Sequence, residues 1–293
     1  MNKQIKVGVI GQGHIGSCVA QRCSENYDVY VWNRSEKLPL KGRKFEIKKA
    51  PSISHLVKNS DFILLTLTDF NAIKEVFENL RPNHSSKIFL NLSTSTRGEA
   101  LEFQEYFLPW KNCDVLDGCF LSSGSQIKEG RGLILLSGQD SVYNSTKQLM
   151  EKLGRVIYCG NEIGAASALD CAVLTYSAMS KIGLMQAFSI CQSAGVSQVN
   201  FNELMGDMLR AHTSSFETMI EKISSGQPLH TEEKLKVWRS ASKTMLANSK
   251  EQKLDDSANR FLVDFLSEAC EYGHSDREFI SLYSYLRRLT PPE

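Results

Sequence analysis

The chain has 293 residues, of which 42% are hydrophobic, and this length allows two domains with substantial buried cores. Its 34 Lys and Arg residues nearly balance its 33 Asp and Glu residues, so neither nucleic acid nor an anionic membrane is expected as the main partner. No apolar run approaches the ~18 residues of a membrane-spanning helix, and the N-terminus enters a strand pattern rather than a signal peptide, so we expect a cytoplasmic protein.

Short apolar runs alternate with amphipathic stretches over the first 160 residues. Such alternation predicts strands and helices that build an α/β domain around a parallel sheet. The predicted strands are IKVGVIG, DVYVWN, DFILLTL, KIFLNLS, CDVLDG and GLILLSG. We therefore assign residues 1–160 to one α/β domain.

A G-x-G-x-x-G pattern follows the first predicted strand, in IKVGVIGQGHIGS at residues 5–17. An isolated match can be an ordinary glycine turn. Here a strand precedes it and a helix follows, so its glycines can make the turn, admit a pyrophosphate and allow close helix packing. Free N–H groups at the helix start would bind the phosphates. The pattern predicts a Rossmann-like dinucleotide site with the cofactor-binding residues Gly11, Gly13, His14, Ile15 and Gly16.

The end of the second predicted strand indicates which dinucleotide binds. NAD sites usually place Asp or Glu about 20 residues after the glycines, where it binds the ribose 2′-hydroxyl. This chain has Asn33 there, followed by Arg34, Ser35 and Lys37. A carboxylate would repel a 2′-phosphate, whereas these side chains can bind it, and Arg offers bidentate geometry. NADPH is therefore the predicted cofactor.

Two later strand ends are expected to border the cofactor, because an open parallel sheet binds ligands at the carboxyl ends of its strands. Leu67 and Thr68 end the run DFILLTL. Ser93 and Thr94 follow the run KIFLNL. An ordinary strand-end turn is the alternative for the second pair.

The second half of the chain, residues 161–293, is predicted to be all helical. Residues 163–194 contain no proline and are nearly all apolar or small, which predicts a helix of about 30 residues, or about 45 Å. A helix that is apolar all round must be buried on all sides. A second subunit is the expected cover, which predicts an intertwined homodimer with shared active sites. The polar stretch at 224–233 is predicted to be a loop.

The eight cysteines lie apart, in mostly apolar surroundings, and none forms a C-x-x-C pair. We interpret them as reduced core thiols, since metal and disulfide frameworks have characteristic spacings. His212, His230 and His274 likewise lack ligand spacing, so we expect no metal.

Several segments together resemble the β-hydroxyacid dehydrogenase superfamily: the glycine pattern, NLSTSTRGEA at 91–100, LDGCFLSSG at 116–124 and GLILLSG at 132–138. The resemblance implies the two-domain architecture of 6-phosphogluconate dehydrogenase. It also implies a catalytic lysine after a glycine-rich turn, with an asparagine one turn later. This chain has GAASALD at 164–170, so an aspartate, Asp170, takes the place of the lysine.

That replacement resembles the imine reductase and reductive aminase branch, and SEACEYGHSDREFISLYSYLRR at 267–288 is similar to the closing helices of that branch. A carboxylate attracts an iminium ion, helps to keep it protonated, and can relay a proton to the product nitrogen. Asp170 is therefore the predicted catalytic residue. A capping role is disfavoured, because the predicted helix begins several residues earlier, near residue 162 or 163.

Three further residues are candidate substrate contacts: Tyr176, Trp238 and Met245. Many relatives have a tyrosine two turns after the aspartate, where this chain has Ala178. Tyr176 lies roughly 120° around the helix from Asp170, which favours a core or interface position. Trp238 and Met245 fit one helical face, where core packing is the alternative.

The sequence is compatible with three functions. The leading one is NADPH-dependent hydride transfer to the C=N bond of a small cyclic imine or iminium. An NADP(H) oxidoreductase acting on C=O or CH–OH groups is the second, disfavoured by the missing lysine and asparagine. The third is a non-catalytic NADPH-binding sensor or scaffold, because a binding fold does not establish chemistry.

Overall fold

A computed structural model of the chain describes residues 4–37, 39–78, 87–110, 112–225 and 234–289. The chain divides into two units, with the division between Tyr176 and Ser177. The first unit is an α/β layer structure and the second is helical. The α/β prediction for the N-terminal half and the helical prediction for the C-terminal half are confirmed.

The described part of the first unit contains one sheet of eight strands. The strands are β1 (Lys6–Ile10), β2 (Asp28–Trp32), β3 (Ile47–Lys49), β4 (Phe62–Leu65), β5 (Lys87–Asn91), β6 (Cys113–Phe120), β7 (Gly132–Ser137) and β8 (Gly154–Tyr158). Their order is β3-β2-β1-β4-β5-β6-β7-β8. The order reverses at β1, with β2 on one side and β4 on the other, which is where doubly wound sheets bind their ligands.

The predicted parallel sheet is confirmed with one exception, because β7 runs antiparallel to β6. The connection at 121–131 explains this, since it is shorter than the dozen residues that a parallel crossover requires. Two strands were also not predicted. β3 is only three residues long with one apolar side chain, and β8 begins with Gly and Arg and lies at the sheet edge.

Helices cover both faces of this sheet. They are α1 (His14–Cys23), α2 (Ile53–Lys58), α3 (Phe70–Phe77), α4 (Arg97–Phe107), α5 (Gly124–Lys128) and α6 (Asp140–Glu151). One face packs the β1 side chains Val7 and Val9 among residues of α1 and α6. The other packs the β4 and β5 side chains, such as Ile63 and Phe89, among residues of α2, α3 and α4. With both faces covered, the strand ends are left as the place for a ligand.

Side-chain caps define where several of these helices begin. Ser52, Asp69, Thr96 and Ser123 each accept a hydrogen bond from a backbone N–H in the first turn of α2, α3, α4 and α5, respectively. These bonds satisfy amides that have no partner within the helix. Asp69 lies in the connection between β4 and α3, where its carboxylate caps α3.

Long helices make up the second unit. They are α7 (Ala165–Ser193), which begins in the first unit, α8 (Gln198–Ser225), α9 (Leu235–Glu251) and α10 (Ser257–Ala269), followed by a π-helical turn (Cys270–His274), a 3-10 turn (Phe279–Ser281) and α11 (Leu282–Leu286). In the described ranges, none of the helices is both long and apolar enough to span a membrane. Most of the loop predicted at 224–233 lies outside the described residues.

Helix α7 has the predicted length of about 30 residues, yet within this one chain it is largely exposed. Its buried residues are Ala166, Ser167 and Asp170. Its exposed large apolar side chains include Leu174, Tyr176, Met179, Ile182, Leu184 and Met185. Soluble proteins commonly expose single large apolar side chains, but they rarely expose so many on one helix.

All eight cysteines lie in described ranges and carry free thiols. Cys18, Cys23, Cys119 and Cys270 are buried, and the other four are half-buried. Burial raises the pKa of the Cys23 thiol to about 12. The thiols therefore behave as small apolar core groups.

Candidate functional site

The glycine turn between β1 and α1 has the geometry of a dinucleotide cradle. Gly11 has φ of +102°, a left-handed conformation that other residues rarely adopt. A Cβ atom at Gly16 would lie 1.9 Å from the Gly11 carbonyl oxygen, so only glycine lets α1 approach β1 this closely. A Cβ atom at Gly13 would meet no described atom within 4 Å, which leaves open space beside the turn.

The N-terminus of α1 faces that open space without a side-chain cap from the described residues. His14 and Ile15 occupy its first positions. The first-turn N–H groups of a helix and its dipole favour an anion such as a pyrophosphate. The residues present therefore fit the phosphates of a dinucleotide.

At the end of β2, two of the predicted cofactor residues, Asn33 and Ser35, form a small hydrogen-bonded structure with the backbone of Gln12. The Gln12 N–H donates to Asn33 Oδ1 at 2.9 Å, and Asn33 Nδ2 donates to the carbonyl oxygen and the hydroxyl of Ser35 at 2.9 Å each. Asn33 therefore joins the glycine turn to the β2 end. Arg34 and Lys37 are exposed on the same segment.

Arg34 already has an anionic partner in this structure. Its Nη1 lies 2.6 Å from Oε2 of Glu75 on α3. Both side chains are well exposed, so the pair is weak and exchangeable. A guanidinium with this freedom suits a 2′-phosphate at the ribose end of a dinucleotide.

The ends of β4 and β5 meet through Ser93. The Leu67 N–H donates to Ser93 Oγ at 2.9 Å, and the Ser93 hydroxyl donates to the Leu65 carbonyl oxygen at 3.4 Å. Ser93 is buried, so its side chain ties the two strand ends together, as a strand-end turn would. Thr68 and Thr94 are exposed beside it and keep their hydroxyls at the surface of this edge.

Asp170 lies inside the second turn of α7, in the first unit. It is 2% exposed although its neighbours Leu169 and Val173 are exposed. The Cys119 thiol donates a hydrogen bond to its carboxylate. Burial raises the pKa of Asp170 above its usual value, and the Cys119 hydrogen bond opposes that rise. Asp170 is too far inside the helix to cap it, and its raised pKa suits a proton-transfer group.

A second buried carboxylate, Asp117 on β6, lies at the start of α7 and was not predicted. The Ser167 N–H donates to Asp117 Oδ2 at 3.1 Å, and the Ser167 hydroxyl lies 2.9 Å from Oδ1 and 2.7 Å from Oδ2. Burial raises the pKa of Asp117 to about 6, although the hydrogen bonds from Ser167 and Asn91 lower it. The available signal was its place in LDG, as a charged residue at the end of the predicted apolar strand CDVLDG.

The candidate substrate residues have different surroundings. Tyr176, in the first unit, is 61% exposed. In the second unit, Trp238 packs its ring 5.2 Å from the Phe279 ring and joins a small core, as the core-packing alternative predicted. Met245 is 37% exposed and lines an apolar groove of about 930 Å³ between α7, α9 and α10.

Taken within the first unit, these features provide a turn suited to an anion, exposed cationic side chains at the end of β2, and a buried carboxylate with a raised pKa. A redox dinucleotide carries two phosphates and supplies hydride chemistry that side chains cannot. A carboxylate can stabilise a cation or exchange a proton. The set is suited to reduction of a substrate that is basic or positively charged.

Comparison with known proteins divides the chain into two matched parts. Residues 6–161 match the family described as the NAD binding domain of 6-phosphogluconate dehydrogenase. Residues 162–288 match the family described as NADPH-dependent reductive aminase-like, C-terminal domain. An NADPH-dependent reductive aminase of Aspergillus oryzae is 21% identical over 288 residues, which cover 96% of this chain and 97% of the relative.

Solved structures with the same fold cover nearly the whole chain. An imine reductase from Myxococcus stipitatus, in a V8 variant in complex with NAD+, has a TM-score of 0.87 at 21% identity and covers 97% of this chain and 99% of its own. A reductive aminase from Aspergillus terreus in complex with NADPH and ethyl levulinate has a TM-score of 0.85 at 23% identity, with 97% and 100% covered. These likenesses establish the fold.

Proposed function

This chain belongs to the family that carries the NAD-binding domain of 6-phosphogluconate dehydrogenase, and from that membership we propose that it is an NADPH-dependent reductase of C=N bonds. The substrate class that we infer is a small cyclic imine or its iminium ion. The observation that carries the proposal is Asp170, a buried carboxylate at the position where the resemblance implies a lysine in dehydrogenases. The reductive aminase-like match over residues 162–288 supports it.

The cofactor that we propose is NADPH. Its pyrophosphate would be held by the turn and helix start formed by Gly11, Gly13, His14, Ile15 and Gly16, and its 2′-phosphate by Arg34, Ser35 and Lys37. Bound there, NADPH supplies a hydride from its nicotinamide. Asn33 would hold Ser35 in place for the 2′-phosphate, because it bonds both to the glycine turn and to Ser35. Leu67, Thr68, Ser93 and Thr94 would border the cofactor at the neighbouring strand ends.

Reduction of a neutral imine adds a hydride to carbon and a proton to nitrogen. Asp170 is positioned in an environment that raises its pKa, so its carboxyl can hold a proton at a pH where an exposed aspartate has lost it. It would give that proton to the imine nitrogen, and the resulting carboxylate would stabilise the iminium while its carbon accepts the hydride. An iminium that arrives already protonated needs only the second role.

We also propose that two copies of the chain form the working enzyme, with active sites shared between the subunits. The support is the apolar surface of α7 and α8, together with the groove lined by Met179, Ile182, Met245, Phe261 and Leu262. Burying such surface is favourable by roughly 25 cal/mol per Å². Residues 1–160 would then form the cofactor domain, and residues 161–293 the dimerisation and substrate domain.

We also propose a cytoplasmic location. The eight cysteines are free, and reduced thiols are typical of a reducing compartment.

The test measures NADPH oxidation with a panel of five- to seven-membered cyclic imines. The oxidation is monitored as the decrease in NADPH absorbance. Wild type, Asp170→Ala and Asp170→Asn are compared, since Asn keeps the size of Asp and removes its charge and proton. Turnover by wild type that falls about 10²-fold or more in both variants, with NADPH affinity unchanged, supports the proposal. Equal turnover by wild type and both variants would remove Asp170 from the chemistry.

Two other outcomes would favour the alternatives. Oxidation of hydroxy acids with NADP+, without turnover of cyclic imines, would favour an oxidoreductase acting on C=O and CH–OH groups. Tight NADPH binding with no oxidation by imines or carbonyl compounds would favour a sensor or scaffold.

A further inference from the structure

Strand β6 contacts the start of α7 through two side chains on one of its faces. Asp117 and Cys119 are two residues apart, so their side chains point to the same side of the sheet. Ser167 and Asp170 are three residues apart and lie on the same side of α7. Asp117 bonds to Ser167, and Cys119 bonds to Asp170. The strand therefore contacts the helix at two successive points, the second of which is the proposed catalytic carboxylate.

The Asp117 contact works as a helix cap supplied from the sheet. Ser167 is the third residue of α7, and its N–H is one of the amides that find no partner within a helix. It donates to Asp117 Oδ2 at 3.1 Å. The preceding amide, of Ala166, donates to Ser137 Oγ on β7 at 3.1 Å. Two neighbouring strands thus hold the first turn of α7.

The same carboxylate also connects α7 to the end of β5. Asn91 Nδ2 donates to Asp117 Oδ1 at 3.2 Å and to Ser95 Oγ at 3.1 Å. The Ser95 and Ser167 hydroxyls lie 2.9 Å apart. Ser95 directly follows Thr94, in the segment predicted to border the cofactor. The cluster of Asn91, Ser95, Asp117 and Ser167 is buried throughout.

We propose that Asp117 is a positioning residue for Asp170, and that it fixes the separation between the cofactor-bordering end of β5 and the proposed catalytic carboxylate. This inference rests on the proposed function. Hydride transfer depends steeply on the placement of the reacting groups, and a displacement of about 1 Å can lower the rate by about 10²-fold. Asp117 touches neither of the proposed reactants, so its effect passes through Ser167 and the first turn of α7.

A carboxylate is suited to this cluster because it only accepts hydrogen bonds. It receives donors from Ser167 on one side and from Asn91 on the other. An Asn side chain in the same place has one accepting and one donating end, so it can satisfy only one of those sides. Asp117→Asn is therefore a size-matched change that loosens the cluster without creating a cavity.

The matched control is Ser52→Ala, which removes a cap from α2, a helix that carries none of the proposed site residues. The Ser52 side chain accepts from the His55 N–H, as Asp117 accepts from the Ser167 N–H. Both variants lose one helix-start hydrogen bond, an effect expected to change a local opening equilibrium by about fivefold to tenfold. A general loss of stability would affect turnover equally in both.

Two measurements are made on wild type, Asp117→Asn and Ser52→Ala. The first is amide hydrogen exchange by mass spectrometry in segments 164–172 and 53–59. The second is kcat and KM for a cyclic imine, together with the Kd for NADPH. In Asp117→Asn we expect exchange about fivefold or more faster in 164–172 only, and kcat about tenfold or more lower with KM and Kd nearly unchanged. Ser52→Ala should speed exchange only in 53–59 and leave kcat unchanged.

Unchanged exchange in segment 164–172, or faster exchange with an unchanged kcat, overturns the positioning role. If Asp117→Asn does not fold, Ser167→Ala provides the second variant, because it removes the hydroxyl contacts and keeps the backbone amide. Ser167→Ala should also speed exchange in segment 164–172 and lower kcat, each by a smaller factor than Asp117→Asn. If wild type turns over no imine, the proposed function fails, while the exchange data still decide whether Asp117 holds the start of α7.

Discussion

Arg34 and Glu75 form an ion pair at the end of β2, with 2.6 Å between Nη1 and Oε2. The arginine that would bind the 2′-phosphate of NADPH therefore has a competing anion on α3. Because both side chains are well exposed, the pair contributes only about 0.2–1 kcal/mol. Binding of NADPH would exchange one partner of Arg34 for another.

Replacing Glu75 by Gln should make NADPH bind better. The substitution frees the Arg34 guanidinium and removes a negative charge near the phosphate, so we expect the KM for NADPH to fall by about twofold to fivefold. The KM for NADH should remain unchanged, since NADH has no 2′-phosphate. Arg34→Glu is the opposing control and should raise the KM for NADPH far more than that for NADH. Parallel changes for both cofactors would contradict the assignment of this site.

Alanine substitutions at Gly13 and Gly16 should have different effects, one on cofactor binding and the other on folding stability. Gly13→Ala places a methyl group in the open space beside α1, so the thermal midpoint should stay near that of wild type while the Kd for NADPH rises. Gly16→Ala places its methyl group against the Gly11 carbonyl oxygen, so it should lower the midpoint itself. Scanning calorimetry and titration with NADPH measure the two effects. A Gly13→Ala variant that binds NADPH as tightly as wild type would exclude this turn from the cofactor site.

The pKa of Asp117 predicts how stability changes with pH. Its folded-state pKa is about 6, above the value of 3.8 expected for an exposed aspartate. Neutral Asp117 therefore contributes to the free energy of unfolding below about pH 4. This contribution, roughly 3 kcal/mol, is lost as pH rises through about 6 and the buried carboxyl ionises. Asp117→Asn has no such titration. The free energy of unfolding of wild type relative to this variant should fall by that amount across this range.

Urea unfolding of both proteins at several pH values measures this difference. The facing groups Cys119, Cys159 and Asp170 are present in both proteins, so their own titrations cancel to first order. A difference in unfolding free energy that stays constant with pH would show that Asp117 titrates as an ordinary exposed carboxylate.

A charge placed in the apolar groove should separate the proposed subunits. Ile182 is exposed and lines the groove, and Ile182→Glu would bury an unpaired carboxylate if a second copy covers it. We expect the dimer dissociation constant to rise by at least about 10²-fold by analytical ultracentrifugation, with loss of turnover. Leu108→Glu is the control, because Leu108 is also a large exposed apolar residue but lies after α4, outside the groove. Dissociation in neither variant, or in both, would count against this groove as the interface.

The parts of the site that depend on local sequence could be predicted from the sequence. Gly11 and Gly16 lie five residues apart, and their roles follow from a strand before them and a helix after them. Asp170 was identifiable because a carboxylate among apolar and small helix residues requires an explanation. Each of these signals is contained within about a dozen residues.

The parts that depend on distant contacts could not be predicted in this way. Asp117 and Ser167 meet across fifty positions, and neither residue type indicates the other. Glu75 is one of many surface carboxylates, and only the packing of α3 brings it to Arg34. The reversed direction of β7 is equally hidden, because an apolar strand has the same composition in either direction.

Cys23 lies fully buried at the C-terminal end of α1, and its thiol has a pKa of about 12. A thiolate-directed alkylating reagent therefore cannot modify it in the folded protein at neutral pH. Modification requires that α1 first separate from the sheet, which would also dismantle the glycine turn at its other end. The rate of labelling at Cys23 therefore measures how often the glycine turn opens. A bound dinucleotide should slow this labelling in proportion to the occupancy of the site.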